Sequence, residues 1–213
     1  MMVLASCAAP RQADPASAGS FTASTEEAVL LARYPKLARR HGKLLQVSSR
    51  GGWIDYLDTD RACDPDSCVS YVLDGEWLEG RLFGISVGYF EGGDYIVADT
   101  RSQHLNTGGP PIFSPNKQRF ATAVYNEAYE TSSEGIRIWE VEGWLRNVRT
   151  ISPHVLGYPE GVRWRGNGCL EFTAVHGDLY DGTGRPRHRG TYYLVEAVPE
   201  WRLHEASPRA CTR

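Results

Sequence analysis

Apolar and polar residues alternate along most of the chain beyond residue 43, and this pattern predicts an all-β domain. In residues 136–141, which read IRIWEV, alternation assigns one face to the interior and the other to water. One buried and one solvated face is typical of antiparallel sheets. The segments predicted as strands are 44–48, 53–57, 68–73, 82–90, 95–98, 119–125, 136–141, 145–151, 169–175, 192–198 and 201–204.

The N-terminal part follows a different pattern. Residues 8–23 are small, polar and rich in Pro, Ala and Ser, a composition that buries too little surface to order itself. Ser24 followed three residues later by Glu27 resembles a capping box, which predicts an N-terminal helix within residues 25–41. One helix kinked at Pro35 and two short helices fit the pattern equally well. The leucines expected to pack on the β domain are Leu30, Leu31 and Leu37.

A strand, a polar connection, an aromatic residue, a short turn and a second strand recur along the chain. Phe113 aligns with Trp164 in two such units, and the spacing of about fifty residues is within the range of propeller blades. A third copy begins at Tyr192, and residues 44–73 supply strands for a fourth. We therefore expect propeller-like antiparallel sheets, in three to four blade-like units. A two-sheet β-sandwich is the alternative.

The segment FSPNKQRFA, residues 113–121, is similar to the turn of TolB-type β-propellers, which typically reads F-S-P-D-G-K-x-I-A. Phe113, Ser114, Pro115, Phe120 and Ala121 match, whereas Asn and Lys replace the usual Asp-Gly pair. The resemblance covers about thirty residues. It implies a propeller-like architecture and names no reaction, because such folds host many functions.

Composition fits this architecture and excludes some functions. The chain has 213 residues, enough for one well-buried domain, which we place at residues 24–213 after a tail of residues 1–23. Eleven Tyr, six Trp and six Phe with 22 Gly and 12 Pro suit short strands and tight turns. The net charge of -3 gives no basic field for nucleic acid. No segment approaches the roughly 18 apolar residues of a membrane-spanning helix.

Four of the five cysteines are interpreted as two disulfides. Cys63 and Cys68 bracket a short turn, and Cys169–Cys211 would tie the C-terminal tail to a strand. Zinc ligation, the alternative, would require a second close pair or a nearby His. Disulfides indicate an oxidising compartment, because they form and persist there.

The remaining cysteine, Cys7, also indicates a location outside the cytoplasm. Cys7 ends the segment Leu4-Ala5-Ser6-Cys7, which resembles the bacterial lipobox, where the cysteine is lipidated. Residues 1–4 at the start of the sequence lack the charged and apolar regions of a signal peptide, so a late start or an incidental cysteine in a tail stays open. With the disulfides, this predicts a lipid-anchored protein of the periplasm.

Catalytic and metal signatures are weak. The acidic run from Asp55 to Asp66 has Cys63 and Val69 where a calcium loop needs Gly and an acid, so we interpret it as a solvated turn. The histidines lie at no metal-ligand spacing, and His176, at a strand end, is interpreted as part of a surface turn. We therefore assign no catalytic residue, metal or cofactor. The acids that lie in adjacent connections, and would have to supply a hydrolytic pair, are Glu91, Asp94, Glu127, Glu130 and Glu134.

Two loops have the composition of recognition surfaces. One is a cationic tip between glycines, and the other is acidic with flanking tyrosines, so each suits a macromolecular partner better than a small substrate. Their candidate binding residues are Arg185, Arg187, His188 and Arg189 in the first loop, and Tyr125, Glu127, Tyr129 and Glu130 in the second.

The favoured hypothesis is a non-enzymatic envelope lipoprotein that binds another envelope or secreted protein. A periplasmic inhibitor or immunity protein is a specific form of it. The alternatives are a hydrolase of envelope glycans or lipids and a self-associating structural subunit. Sequence leaves the partner and the oligomeric state open.

Overall fold

The computed structural model describes residues 24–59, 68–89, 92–124, 135–151, 158–175, 189–197 and 200–211. These residues are mainly β-strand and form four antiparallel sheets with one short α-helix. The all-β prediction is confirmed.

Each sheet is a meander in which strands that follow one another along the chain pair as neighbours. The helix α1 (Thr25–Arg33) precedes the first sheet, and a short 3-10 helix (Arg209–Cys211) follows the last. The first sheet contains β1 (Ala38–His41), β2 (Leu44–Ser49) and β3 (Gly52–Leu57). The second contains β4 (Val69–Trp77), β5 (Leu82–Tyr89), β6 (Gly92–Asp99) and β7 (His104–Asn106). The third contains β8 (Ile112–Phe113), β9 (Arg119–Val124), β10 (Gly135–Glu140) and β11 (Arg146–Ile151). The fourth contains β12 (Tyr158–Gly166), β13 (Cys169–Val175), β14 (Arg189–Ala197) and β15 (Glu200–His204).

The helix is shorter than predicted. The Ser24 hydroxyl accepts a hydrogen bond from the Glu27 amide at 3.1 Å, as a helix cap should. The prediction that the helix continues to residue 41 is wrong, because α1 ends at Arg33 and residues 38–41 form β1 instead. Pro35 explains the stop, since proline disfavours helical geometry in the residue before it.

Three apolar clusters lie between the sheets, and each joins two sheets that are consecutive in the chain. Leu45 and Val47 of the first sheet pack with Phe83 and Ile85 of the second. The leucines predicted to pack on the β domain, Leu30, Leu31 and Leu37, lie at the edge of this cluster. The members that join the second sheet to the third include Leu82, Val97, Phe120 and Trp139. Those that join the third sheet to the fourth include Ile136, Ile138, Leu170 and Phe172. The sheets therefore pack on one another in chain order.

The predicted equivalence of Phe113 and Trp164 has a structural counterpart, but the other two predicted copies do not. The copy from Tyr192 is wrong because β14 and β15 belong to the same sheet as β12 and β13, and residues 44–73 are divided between the first and second sheets. Phe113 pairs with Phe120 across the first hairpin of the third sheet, and Trp164 pairs with Leu170 at the same place in the fourth. In the second sheet Trp77 pairs with Leu82 in the same way. An aromatic near the end of the first strand thus faces a buried residue near the start of the second in three sheets. The described residues do not form a closed propeller or barrel.

The predicted Cys169–Cys211 disulfide is present, with the two Cα atoms 5.5 Å apart. It joins the first residue of β13 to the 3-10 helix, and both cysteines are buried. Cys68 is also disulfide-bonded. Its predicted partner, Cys63, lies outside the described residues, as does Cys7.

Candidate functional site

Most site residues predicted from the sequence lie outside the part of the chain that the structure describes. Arg189 begins β14, where its backbone pairs with Val175. Outside the described residues lie Arg185, Arg187, His188, Tyr125, Glu127, Tyr129 and Glu130, together with Glu91, Glu134 and His176. Of the acids considered for a hydrolytic pair, Asp94 is described, in β6. The binding-loop and hydrolase hypotheses therefore stay predictions.

The prediction that the acidic run is a solvated turn is wrong for Asp58, which is buried. Its side chain is 2% exposed and lies 2.9 Å from the Arg40 guanidinium. Burial of a carboxylate requires a partner, and Arg40 supplies one. Within the described ranges, no group of three or more His, Cys, Asp or Glu side chains is arranged to hold a metal ion.

The first sheet has one face in the core and one in solvent. The candidate site lies on the solvent face. Alternation places Leu45 and Val47 inward, toward the second sheet, with Gln46 between them on the outer face. Pairing aligns Arg39, Gln46 and Asp55 across the three strands. Their side chains form a hydrogen-bonded row, with Arg39 donating to Gln46 at 2.8 Å and Gln46 donating to Asp55 at 2.6 Å.

Two exposed tryptophans, Trp53 in β3 and Trp144 in the β10–β11 connection of the third sheet, each contact an arginine of the first sheet. The Arg39 guanidinium lies 4.1 Å from the centroid of the Trp53 ring, and Trp53 is 37% exposed. The Arg50 guanidinium lies 5.5 Å from the centroid of Trp144, which is 58% exposed. Both distances are within cation–π range. Arg50 belongs to the β2–β3 turn and Trp53 follows this turn in β3, so the two pairs share one end of the sheet.

We call Arg39, Arg50, Trp53 and Trp144 the cationic–aromatic face. Tryptophan and arginine are the residue types most enriched at energetically dominant positions of protein interfaces. The Trp53 pair is held in place before any partner arrives, because Arg39 is fixed by both Gln46 and the indole ring. Such preorganisation lowers the entropy lost on binding.

Charge around the first sheet is strongly asymmetric. Residues 33–50 contain no Asp or Glu, although the whole chain has a net charge of -3. Their basic residues are Arg33, Lys36, Arg39, Arg40, Lys43 and Arg50. Of these, Arg40 points into the core, and the other five are exposed or half-buried. This local run of basic residues is visible in the sequence, but it matches no catalytic motif.

The first sheet is fixed to the rest of the molecule by a buried polar cluster. Arg40 donates to the carboxylate of Glu27 at 2.9 Å and to that of Asp58 at 2.9 Å. Glu27 also accepts from the Leu73 amide at 3.1 Å, and Asp58 accepts from the Tyr71 amide at 2.6 Å. These contacts tie α1, the first sheet and β4 together and set the orientation of the cationic–aromatic face.

A tyrosine–histidine pair makes a second link between the first two sheets. The rings of Tyr56 and His104 are stacked, with centroids 5.8 Å apart. The tautomer that fits both neighbours carries its proton on Nε2, which donates to the Ser48 carbonyl at 3.3 Å, and accepts at Nδ1 from the Tyr56 hydroxyl. Burial lowers the pKa of His104, while the Ser48 carbonyl and the Asp99 charge oppose that shift.

This pair predicts a loss of stability in mild acid. Because the pKa of His104 is lower in the folded protein than the unfolded value near 6.5, the unfolded state binds the proton first. Neutral His104 therefore makes its full contribution to the free energy of unfolding above about pH 6.5. This contribution falls as the pH decreases toward the pKa of His104 in the folded protein. Urea unfolding of wild type and His104→Phe at a series of pH values should show a smaller acid loss in the variant. His204→Phe, on the exposed end of β15, is the control and should keep the wild-type dependence. Identical pH profiles for all three proteins would contradict the prediction.

Comparison with known proteins gives no relative: no family model, curated protein or solved structure matches this chain. The TolB-type resemblance of residues 113–121 therefore stays a prediction. Among the described residues, no helix has the length and apolar character needed to cross a membrane.

Proposed function

We propose that this protein is a non-enzymatic lipoprotein of the bacterial cell envelope that binds an acidic protein through its cationic–aromatic face. The observation that carries the proposal is the pair of exposed tryptophans, each stacked with an arginine at one end of the first sheet. Complementary charge speeds encounter and selects the partner, and desolvated aromatic rings supply the affinity. An inhibitor or immunity protein that covers an acidic enzyme or toxin is a specific form of this function.

Envelope location is supported by two features of the chain. The lipobox-like segment ending at Cys7 would provide a lipid anchor, with residues 8–23 as the tether. The buried Cys169–Cys211 disulfide suits an oxidising compartment such as the periplasm.

The scaffold of the proposed protein is an incomplete propeller in which the four meanders act as blades. Two findings support it: the equivalent pairing of Trp77, Phe113 and Trp164 within their sheets, and the packing of consecutive sheets on one another. The first sheet, with three strands, would be the truncated blade that presents the face.

Variants of the face test the proposal. We expect the full chain, cross-linked in native envelope extracts, to capture an acidic protein that mass spectrometry identifies. With that protein purified, Trp53→Ala and Trp144→Ala should each weaken binding at least about tenfold. Added salt should weaken the wild-type complex, because the contact depends on charge. Tyr89→Ala is the control, since Tyr89 is 50% exposed but lies on the second sheet.

Three results would overturn the proposal. Equal binding by wild type and both tryptophan variants would place the contact elsewhere. A partner without an acidic surface would show that charge complementarity does not select the partner. Binding to phosphatidylglycerol vesicles in the absence of any protein partner would identify the face as a membrane surface.

A further inference from the structure

The first sheet has one strand fewer than the others. The second, third and fourth sheets each contain four strands, whereas the first contains three and ends at β3. Among the described residues, no strand pairs with the side of β3 that faces away from β2. The edge of a sheet presents a row of amide and carbonyl groups that can pair with a strand of another chain.

β3 lacks the features that protect the other edge strands. Natural edges are protected by short length, by proline, by bulges or by charged side chains. β7 and β8 have only three and two residues, and β4, β11 and β12 each shift register against a neighbour. β1 and β15 each carry two charged residues in a short strand. β3 has six residues, pairs with β2 without a register shift and carries one charged residue, Asp55.

The hydrogen-bond pattern of the first sheet shows which backbone groups of β3 are turned outward. The Asp58 amide donates to the carbonyl of Lys43 at 3.0 Å, so these two opposed residues form a hydrogen-bonded pair. Bonded and non-bonded pairs alternate along antiparallel strands, so the even-numbered residues of β3 bond to β2. The residues whose amide and carbonyl groups face the other side are therefore Trp53, Asp55 and Leu57. We call this side of β3 the open edge.

The side chains of the same three residues lie on the solvent face of the sheet. Trp53 is 37% exposed and Leu57 is 63% exposed, so two apolar positions flank the exposed carboxylate of Asp55. Gln46 donates to Asp55, and a carboxylate has about four acceptor positions, so Asp55 can also accept from a neighbouring strand. Directly opposed side chains on neighbouring strands stabilise a sheet when both are apolar or when their charges are opposite. An added strand therefore fits best with apolar, basic and apolar side chains at alternate positions.

A second copy of this chain fits the open edge poorly. Antiparallel pairing of two β3 strands centred on Asp55 would place the two Asp55 carboxylates opposite each other, which is destabilising. It would also place two first sheets side by side, each with the basic run at residues 33–50. That basic run favours a partner whose remaining surface is acidic.

We infer that the open edge binds an extended segment of the partner protein as an added antiparallel strand, with a basic residue between two apolar ones at alternate positions. Backbone hydrogen bonds supply affinity in this mode of recognition, and alternate side chains supply specificity. The inference rests on the proposed function for the identity of the partner and adds the mode of binding. Trp53 links the two, because its ring contacts Arg39 and its backbone lies at the open edge.

Amide NMR spectra of the ¹⁵N-labelled full chain test this mode of binding. The probe is the synthetic peptide acetyl-Thr-Val-Thr-Lys-Thr-Val-Thr-amide, added to millimolar concentration. We expect it to shift the amide signals of Trp53, Asp55 and Leu57 in a saturable way. Methylating the backbone nitrogens of its Val and Lys residues should abolish binding, because those amides face β3 in the added strand. Methylating the nitrogens of the two Thr residues beside Lys is the matched control and should leave binding unchanged. Replacing the Lys of the peptide with Glu should weaken binding about fivefold or more.

Two variants at Leu57 separate the backbone contact from the side-chain contact. Proline at this position removes the outward amide but no hydrogen bond to β2, and edge strands tolerate such a proline. Leu57→Pro should therefore weaken peptide binding about tenfold, whereas Leu57→Ala, which keeps the amide, should weaken it less. Asp55→Lys serves as a second test in case Leu57→Pro fails to fold. It should weaken binding of the Lys peptide and strengthen binding of the Glu peptide.

Several results would overturn the inference. They are no saturable shift with the Lys peptide, equal binding by the peptide methylated at Val and Lys, and equal binding by folded Leu57→Pro. Slow hydrogen exchange at the amides of Trp53, Asp55 and Leu57 in the free protein would also overturn it, because the edge would already be occupied. The proposed function would survive these results, since it depends on the loss of partner binding in Trp53→Ala and Trp144→Ala. Conversely, an acidic partner that binds both tryptophan variants like wild type would contradict the proposed function and leave the peptide result intact.

Discussion

Replacing Arg40 with methionine is expected to lower the free energy of unfolding by about 3–5 kcal/mol, the usual cost of removing one partner from a buried ion pair. The side chains of Glu27 and Asp58 are 0% and 2% exposed, and Arg40 lies 2.9 Å from each. Without the guanidinium, two carboxylates would stay buried with only backbone amides as described donors. Urea unfolding at neutral pH with intact disulfides measures the loss.

Arg39→Met is the matched control for this prediction. Arg39 precedes Arg40 in β1 but points to the outer face, where it contacts Gln46 and the Trp53 ring. Exposed contacts of this kind contribute about 1 kcal/mol or less. Similar losses for the two variants would show that the buried cluster has no special role.

A triple variant separates the burial of charge from the loss of packing. Glu27→Gln, Asp58→Asn and Arg40→Met together remove all three charges and keep side chains of similar size. Replacing a whole buried ion cluster is often close to neutral for stability, so the triple variant should recover much of the loss caused by Arg40→Met alone. A triple variant no more stable than Arg40→Met would contradict the electrostatic explanation.

Periodicity predicted the longer strands well, because a strand with one face in the core carries its own signature. The strands missed were short or irregular. β8 has two residues and β7 has three, too few for a period of two to be seen. β12 contains Pro159 and Gly161 and shifts register twice against β13, and both features interrupt the alternation. β1 was hidden because its charged residues resemble the end of a helix.

The candidate face could not be read from alternation alone. In β3, Trp53 and Leu57 face outward while Ile54 and Tyr56 contact the core, so both faces of the strand are apolar. When both faces are apolar, alternation does not show which face of the strand is buried. The buried face of β3 is determined by its pairing with β2, whose inward residues contact the second sheet. The excess of basic residues at 33–50 was visible in the sequence, but only the fold shows that Arg40 turns inward while Arg39 covers an indole ring.

The hydrogen-bonded group formed by Asp74, Ser86 and Tyr95 shows the same dependence on the fold. Asp74, Ser86 and Tyr95 are separated by about ten residues along the chain and have no motif spacing. They meet because β4, β5 and β6 are neighbours, and because a register shift turns Asp74 toward the other two. No pattern in one strand predicts this meeting, since it depends on the pairing of three strands.

Removing the Cys169–Cys211 disulfide is the second change expected to have a large effect. The cysteines are 42 residues apart, and closing a loop of that length restricts the unfolded chain by about 4 kcal/mol in the loop-entropy model. Cys169→Ala with Cys211→Ala should therefore lower the free energy of unfolding by about that amount, measured by urea unfolding without reductant. Both side chains also pack against Val195, so the loss should not be smaller than the entropy alone.

Cys63→Ala with Cys68→Ala provides the comparison, because the predicted bond would close a loop of only six residues. The same model gives about 2 kcal/mol for it, half the effect of the longer loop. Because Cys211 holds the 3-10 helix against β13, the Cys169/Cys211 variant should also expose the amides of residues 209–211 to hydrogen exchange, while those of β2 and β3 keep their protection. A larger loss from the Cys63/Cys68 variant would mean that native contacts near residue 68, and not the length of the closed loop, determine what each disulfide contributes.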